Sequence, residues 1–272
     1  MKNKRTIKSI LIIVLASVLS LLAACGSAKD EIVIAGSTSV QPYIEVLAED
    51  YALLYPDIEI YVQGGGSSAG ITAAENETAN LGMSSRDLKE EEEWLWSLEI
   101  AKDGLALIIH PDNKVNQLSL NEVLAIYTGK ITNWSQVGGA DHTIHVITRE
   151  EGSGTRSAFE SLVMGEAEID PKSIVQASNG AVKQLVADDP NSIGFISLGL
   201  IDEKVKTVAL DNIAPTKENV INGSYTLARP FLLVAYQSPS AQTADFVAFI
   251  MSDQGQKILS DEGLIVQIGD SQ

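Results

Sequence analysis

An apolar strand, a turn of Gly, Ser and Thr, and an amphipathic helix recur along this 272-residue chain, and this repeated unit limits the fold more than any other feature. The first unit runs from Glu31-Ile32-Val33-Ile34-Ala35 through Gly36-Ser37-Thr38-Ser39 into a helix whose apolar positions Val40, Ile44, Leu47 and Tyr51 are three to four residues apart. The second runs from Ile58-Glu59-Ile60-Tyr61-Val62 through Gly64-Gly65-Gly66-Ser67-Ser68 into residues 69–74. A later one runs from Ile144 to Thr148 through Gly152-Ser153-Gly154-Thr155 into Phe159 to Met164. Strands alternating with helices predict an α/β architecture with largely parallel sheets.

Two further apolar strands, Gly104 to Ile109 and Pro230 to Tyr236, have the character of crossings between two lobes. Lobe one then comprises residues 31–107 plus 231–272, and lobe two residues 108–230. A discontinuous layout of this kind places a ligand cleft between the lobes, with the strand-to-helix turns facing into it.

The chain opens with basic Lys2, Lys4, Arg5 and Lys8, followed by an apolar run from Ile10 to Leu22. That run is shorter than the roughly 20 residues a membrane-spanning helix needs, and it reads as an export signal. It ends in Leu22-Ala23-Ala24-Cys25, which resembles a lipobox, where the thiol is diacylated and the chain cut in front of it. Cys25 is the only cysteine, so it has no disulfide partner within the chain. The expectation is a signal peptide over residues 1–24 and a lipidated Cys25. A short tether over residues 25–30 would hold the protein at the extracytoplasmic face of the cell membrane. Cleavage removes four positive charges and no negative ones, so the formal net charge falls from −17 to −21. Such a balance argues against nucleic acid as a partner, and it restricts contact with the membrane to the anchor. The acidic run Glu90 to Glu93 is expected to be a solvated helix start.

The turns carry the chemistry. The first backbone N–H groups of a helix lack intrahelical acceptors, and the helix dipole places partial positive charge there. Hydroxyl side chains add donors, and glycines let an anion approach the backbone closely. Three such turns, together with Gly82-Met83-Ser84-Ser85, can surround a small tetrahedral oxyanion. Arg149 follows the Ile144–Thr148 strand and supplies a permanently charged pair of donors, which Glu151 is expected to orient. With so negative a net charge, an anion must be held by local dipoles and a placed cation, since bulk attraction works against it.

At these residues a resemblance becomes specific. Arg149-Glu150-Glu151-Gly152-Ser153-Gly154-Thr155 resembles the R-x-[DE]-G-S-G-T segment of the phosphate-binding proteins of Pst-type ABC importers. Gly36-Ser37-Thr38, Gln63 to Ser68, Ile126-Tyr127-Thr128-Gly129-Lys130-Ile131-Thr132-Asn133-Trp134 and Ser252-Asp253-Gln254-Gly255-Gln256 resemble the same family in the same order. The resemblance implies a two-lobed periplasmic-binding-protein fold of type II and inorganic phosphate as ligand. It further implies an ABC importer's membrane and ATPase subunits as partners, a monomeric protein, no cofactor, no metal and no catalytic residue. It places ligand contacts on Thr38, Ser39, Ser67, Arg149, Ser153, Gly154 and Thr155. Many relatives have an aspartate that accepts the proton of hydrogen phosphate where this chain has Ser85, so Ser85 joins the expected site and Asp87 is a candidate substitute. A hydroxyl has lone pairs as well as a proton and can still accept.

Other chemistries fit less well. Gly66-Ser67-Ser68-Ala69-Gly70 matches the G-x-S-x-G nucleophile pattern, but His110, His142 and His145 are the only histidines, and none follows in the last 127 residues. Lys130 follows Gly129, but Ile131 stands where a Walker A motif needs Ser or Thr. His142 and His145 have no cysteine near them to complete a metal site. A binding protein for another tetrahedral oxyanion, sulfate or molybdate, is the main alternative.

Overall fold

The computed structural model describes residues 30–266. Cys25 and the signal segment lie outside the described residues, as does the end of the chain after Val266. From its start the chain alternates strand and helix: β1 (Asp30–Gly36), α1 (Gln41–Leu54), β2 (Ile58–Gly64), α2 (Ser67–Glu75) and β3 (Leu81–Ser84). The long β4 (Trp96–Ile109) follows, then β5 (Gln117–Leu118), α3 (Leu120–Tyr127), β6 (His145–Arg149) and α4 (Gly154–Phe159), which continues as one π-helical turn over Glu160–Met164. The remainder comprises β7 (Ile174–Gln176), α5 (Asn179–Asp188), β8 (Ser192–Ser197), β9 (Lys206–Thr207), β10 (Ala209–Leu210), α6 (Lys217–Ile221), β11 (Ala228–Ala235), α7 (Ala241–Met251) and α8 (Asp253–Asp261).

The main sheet runs β2-β1-β3-β11-β4-β8-β6-β7, with β9 also on β4. β1 pairs in parallel with β2 and β3, and β6 with β7 and β8. The expectation of largely parallel sheets holds for these outer strands. β11 and β4 are antiparallel to their neighbours, as strands must be when the chain crosses to a second lobe and returns.

β4 changes partners along its length. Residues 96–104 pair with β11, and residues 105–109 pair with β8. The strand therefore begins eight residues before Gly104, and its second half enters a different apolar core. One core gathers Ile32, Ile34, Ile44, Leu47, Tyr51 and Phe231 with Phe246 and Ile250 of α7. The other gathers Leu105, Leu107, Ile109, Tyr127, Trp134, Phe159 and Phe195. Burying two such sets of apolar side chains is the main force holding each lobe together.

Parallel pairing fixes where the turns go. Gly36 is in register with Gly64 and Met83, and Arg149 with Gln176, so the carboxyl ends of β1, β2 and β3 line one edge and those of β6 and β7 another. These two edges face each other, which brings the Gly/Ser/Thr turns of both lobes into one cleft. Gly36 is required at this edge: its φ is +137°, and a Cβ there would strike the Met83 carbonyl and the Gly70 backbone of α2.

Candidate anion-binding cleft

Arg149 ends β6 and is 1% exposed. Its guanidinium is held in a fork by Glu150, with Nε donating to Oε2 and Nη2 to Oε1, both at 2.9 Å. Nε also donates to the Gln176 carbonyl at 3.1 Å. The carboxylate that orients Arg149 is therefore Glu150. Glu151, the residue expected from the sequence, is exposed, because β6 ends at Arg149 and the chain turns at Glu151 and Gly152, which leaves Glu150 on the guanidinium and carries Glu151 out to solvent. From this fixed position Nη2 reaches the Thr38 hydroxyl of the other lobe at 3.2 Å, and Nη1 points toward Thr155 Oγ1 at 3.5 Å.

Ser153 caps α4, its hydroxyl accepting from Arg156 N–H at 3.3 Å. The cap fills one lone pair of that hydroxyl, and the backbone N–H groups of Gly154 and Thr155, at the first positions of the helix, have no intrahelical acceptors. Gly154 lies so close to the opposite lobe that a Cβ would strike Ser67 Oγ and stand 2.6 Å from Ser85 Oγ. The lobes meet again where Ser68 N–H donates to the Gly152 carbonyl at 3.0 Å and where Ser39 and Thr155 hydroxyls pair at 2.8 Å.

The structure thus brings seven of the eight expected residues into one buried locus, Ser39, Ser67, Ser85, Arg149, Ser153, Gly154 and Thr155, with Thr38 half-buried beside them. The Gly82–Ser85 segment differs from the other turns because it ends β3 without starting a helix, so it contributes side chains and no helix dipole. Asp87 is exposed, and the carboxylate nearest this turn in sequence does not reach the cleft.

Hydroxyl chemistry around Ser85 is set by its neighbours. Ser37 donates to Ser85 Oγ at 2.8 Å, Ser85 N–H donates to Ser67 Oγ at 3.0 Å, and the Ser67 and Ser85 hydroxyls pair at 3.3 Å. Each hydroxyl has two lone pairs and one hydrogen. Whichever of Ser67 and Ser85 donates to the other, the pair is left with one free hydrogen and one free lone pair. Such a pair can donate to one ligand oxygen and accept the proton of another.

Four residues at the locus were not anticipated. Ser37 belongs to the first turn but was not singled out. Asn179 opens α5 behind the capping residue Ser178 and donates to Ser39 Oγ at 2.8 Å and Thr38 Oγ1 at 3.3 Å. Its segment, Ile174-Val175-Gln176 followed by Ser178-Asn179-Gly180, is a further copy of the strand–turn–helix unit, and this was the signal that could have found it. Arg229 on β11 and Asp103 on β4 are direct register partners. Arg229 Nε and Nη2 both donate to Asp103 Oδ2, at 3.1 and 2.9 Å, and Nη2 donates to Ser39 at 3.1 Å. Burial pushes the Asp103 carboxyl above the usual carboxylate range, against the pull of Arg229. The signal was two opposite charges, one immediately before each apolar crossing strand, since charges that enter such strands are buried only when paired.

Behind β3, Arg86 forms a fork with Glu92, with Nη1 to Oε2 at 2.7 Å and Nη2 to Oε1 at 2.8 Å. The hydrogen bond from Arg86 holds the Glu92 carboxyl below its ordinary value. The acidic run is a single 3-10 turn, Glu90–Glu92, in which Glu90 and Glu91 are solvated as expected while Glu92 turns inward to Arg86. Arg86 Nη2 also approaches Ser68 Oγ at 3.4 Å. A nucleophilic Ser68 would need a histidine there; His145 instead pairs with Asp189 at 2.7 Å.

Comparison with known proteins shows the family and the fold. A family profile described as a PBP superfamily domain matches residues 23–254. The chain is 31% identical over 281 aligned positions to the phosphate-binding protein PstS of Bacillus subtilis (strain 168), an alignment covering 95% of this chain and 93% of that one. It is 30% identical to the phosphate-binding protein PstS of Borreliella burgdorferi, covering 95% and 98%. Among solved structures it resembles a phosphate ABC transporter substrate-binding protein with bound phosphate from Clostridium perfringens. That match has a TM-score of 0.85 and 43% identity, and covers 88% of this chain and all of the other. It also resembles an ABC-type phosphate transport receptor from Vibrio cholerae, with a TM-score of 0.73 and 41% identity over 87% of this chain.

Proposed function

Because the chain belongs to the PBP superfamily and, within it, to the PstS family of phosphate-binding proteins, we propose that its cleft captures inorganic phosphate and delivers it to an ABC importer. The observation that carries this reading is the convergence of Arg149 with the Thr38, Ser39 and Thr155 hydroxyls between two lobes, where the guanidinium and hydroxyl groups are held in place by one another. Preorganised donors in a site closed off from water are worth far more than the same groups in solvent. The ligand contacts are Thr38, Ser39, Ser67, Ser85, Arg149, Ser153, Gly154 and Thr155. No bond of the ligand is broken, so the protein is a carrier and no residue is catalytic.

In this reading the Ser67–Ser85 pair takes the place of a carboxylate acceptor. Hydrogen phosphate gives its proton to the free lone pair of the pair and accepts the free hydrogen through another oxygen. Sulfate has no proton to give and leaves that lone pair facing an anionic oxygen, which disfavours it. The lobe boundary on β4 falls near Gly104, a few residues before the 107/108 division expected from the sequence, since Leu105 and Leu107 pack in the second core, and the lobes open by bending where β4 and β11 cross. The protein acts as a monomer, lipid-anchored through Cys25 at the extracytoplasmic face of the cell membrane. The support for the anchor is the basic start, the short apolar run and Leu22-Ala23-Ala24-Cys25. Among the described residues no helix is long and apolar enough to cross a membrane.

Calorimetric titration of protein dialysed free of phosphate tests the ligand assignment. Saturation by phosphate with little response to sulfate is expected; saturation by sulfate or molybdate, with none by phosphate, would overturn it. The anchor is tested separately by fractionation, since Cys25→Ala should release the protein from the membrane.

A further inference from the structure

Ser39 Oγ lies where four elements converge. It belongs to the turn between β1 and α1 and is fully buried, and around it stand Arg229 of β11, Asn179 of α5 and Thr155 of α4. Arg229 Nη2 is 3.1 Å away and Asn179 Nδ2 is 2.8 Å away. The Asn179 amide is oriented by its other end, where Oδ1 accepts from Ser197 N–H at 3.4 Å. Both neighbours are pure donors, so together they fill the two lone pairs of the Ser39 hydroxyl. Its hydrogen must then go to Thr155 Oγ1, 2.8 Å away. Thr155 Oγ1 takes that hydrogen and faces Arg149 Nη1 at 3.5 Å, so what Thr155 has left to offer is its own O–H.

We propose that Arg229 is a specificity-determining positioning residue: by filling one lone pair of Ser39 it makes Ser39 an obligate hydrogen-bond donor to Thr155, and so makes Thr155 an obligate donor toward the bound anion. The proposal rests on the cleft's binding a tetrahedral oxyanion, as argued above. Arg229 suits the task because its planar fork serves two partners at once, Asp103 through Nε and Nη2 and Ser39 through Nη2. Its charge is paired with Asp103, and the hydrogen bond to Ser39 is the contact through which it acts on the site. Asn179 stands on the opposite lobe from Ser39, so the second lone pair is filled only when the lobes meet. Closure therefore completes the donor-only character of the site.

A double-mutant cycle on the mature protein tests this, with the dissociation constant for inorganic phosphate measured by calorimetry and folding checked by thermal melting. Lysine keeps the charge and can reach Asp103 but has no fork to direct at Ser39. Arg229→Lys should weaken binding by about tenfold in the wild-type background and by less than about twofold when Ser39→Ala is already present. Equal losses in both backgrounds, or no loss in either, would overturn the proposal. If Arg229→Lys does not fold, the uncharged pair Asp103→Asn/Arg229→Gln takes its place in the same cycle, with the same two outcomes. Should the wild-type protein bind sulfate and not phosphate, the phosphate assignment fails, and the cycle run with sulfate still decides the role of Arg229.

Discussion

Arg149 of one lobe donates to the Thr38 hydroxyl of the other across 3.2 Å, so the charged group of the cleft is also a tie between its walls. Arg149→Ala removes a buried guanidinium whose Nη1 comes no nearer to Thr155 Oγ1 than 3.5 Å. It should weaken phosphate binding by roughly 2–5 kcal/mol, the range for truncating one side of a buried charged contact. Arg149→Lys should recover only part of that loss, because a single ammonium cannot reproduce the fork. Calorimetry on both variants checks this; wild-type affinity in Arg149→Ala would place the residue outside the site.

Adjacent glutamates should behave unequally. Glu150→Gln leaves a nearly fully buried guanidinium without its counter-ion and should lower unfolding free energy by about 1–3 kcal/mol. Glu151→Gln, at an exposed position, should stay within about 0.5 kcal/mol of the parent. Urea unfolding of the ligand-free proteins separates the two.

Gly154→Ala should abolish tight binding while leaving the melting temperature of the ligand-free protein close to that of the parent. The new methyl group strikes Ser67 and Ser85 of the opposite lobe, so it opposes closure and not the packing of either lobe. Small-angle scattering with excess phosphate should show an expanded particle; compaction equal to that of the parent would contradict this.

The Arg86–Glu92 fork gives stability a dependence on acid. Glu92 titrates below its ordinary value of 4.5 in the folded protein, so between those values the unfolded chain binds more protons than the folded one. The contribution is present above about pH 4.5 and is lost as pH falls through the lowered folded value. Glu92→Gln should therefore be less stable than the parent near pH 7, and the gap should narrow as pH falls below the ordinary value of 4.5. A gap independent of pH would mean the fork contributes through packing alone.

The repeated strand–turn–helix unit made the α/β class and the position of the anion site legible, because both follow from local spacing. Period-two and period-three-to-four apolar patterns show which face is buried, and Gly/Ser/Thr turns mark helix starts with unsatisfied N–H groups. The Arg149 and Gly152–Thr155 segment was readable for the same reason: its residues act on one another over a few positions. The choice between Glu150 and Glu151 was not readable, since it depends on which face of the chain leaving β6 turns toward Gln176 and Thr38.

Arg229 and Asp103 mark the other limit. They are 126 positions apart in sequence, and only the antiparallel register of β11 on β4 sets them opposite each other beneath Ser39. The chain's own order of residues determined the two-lobed α/β plan, the family and the donors that line the cleft, because these depend on short-range pattern. Tertiary structure alone decided which hydroxyls must donate and which pair retains a lone pair to accept. Donor and acceptor roles are fixed by partners that distant strands and the opposite lobe supply, and hydrogen bonding of that kind leaves no periodic trace in a sequence.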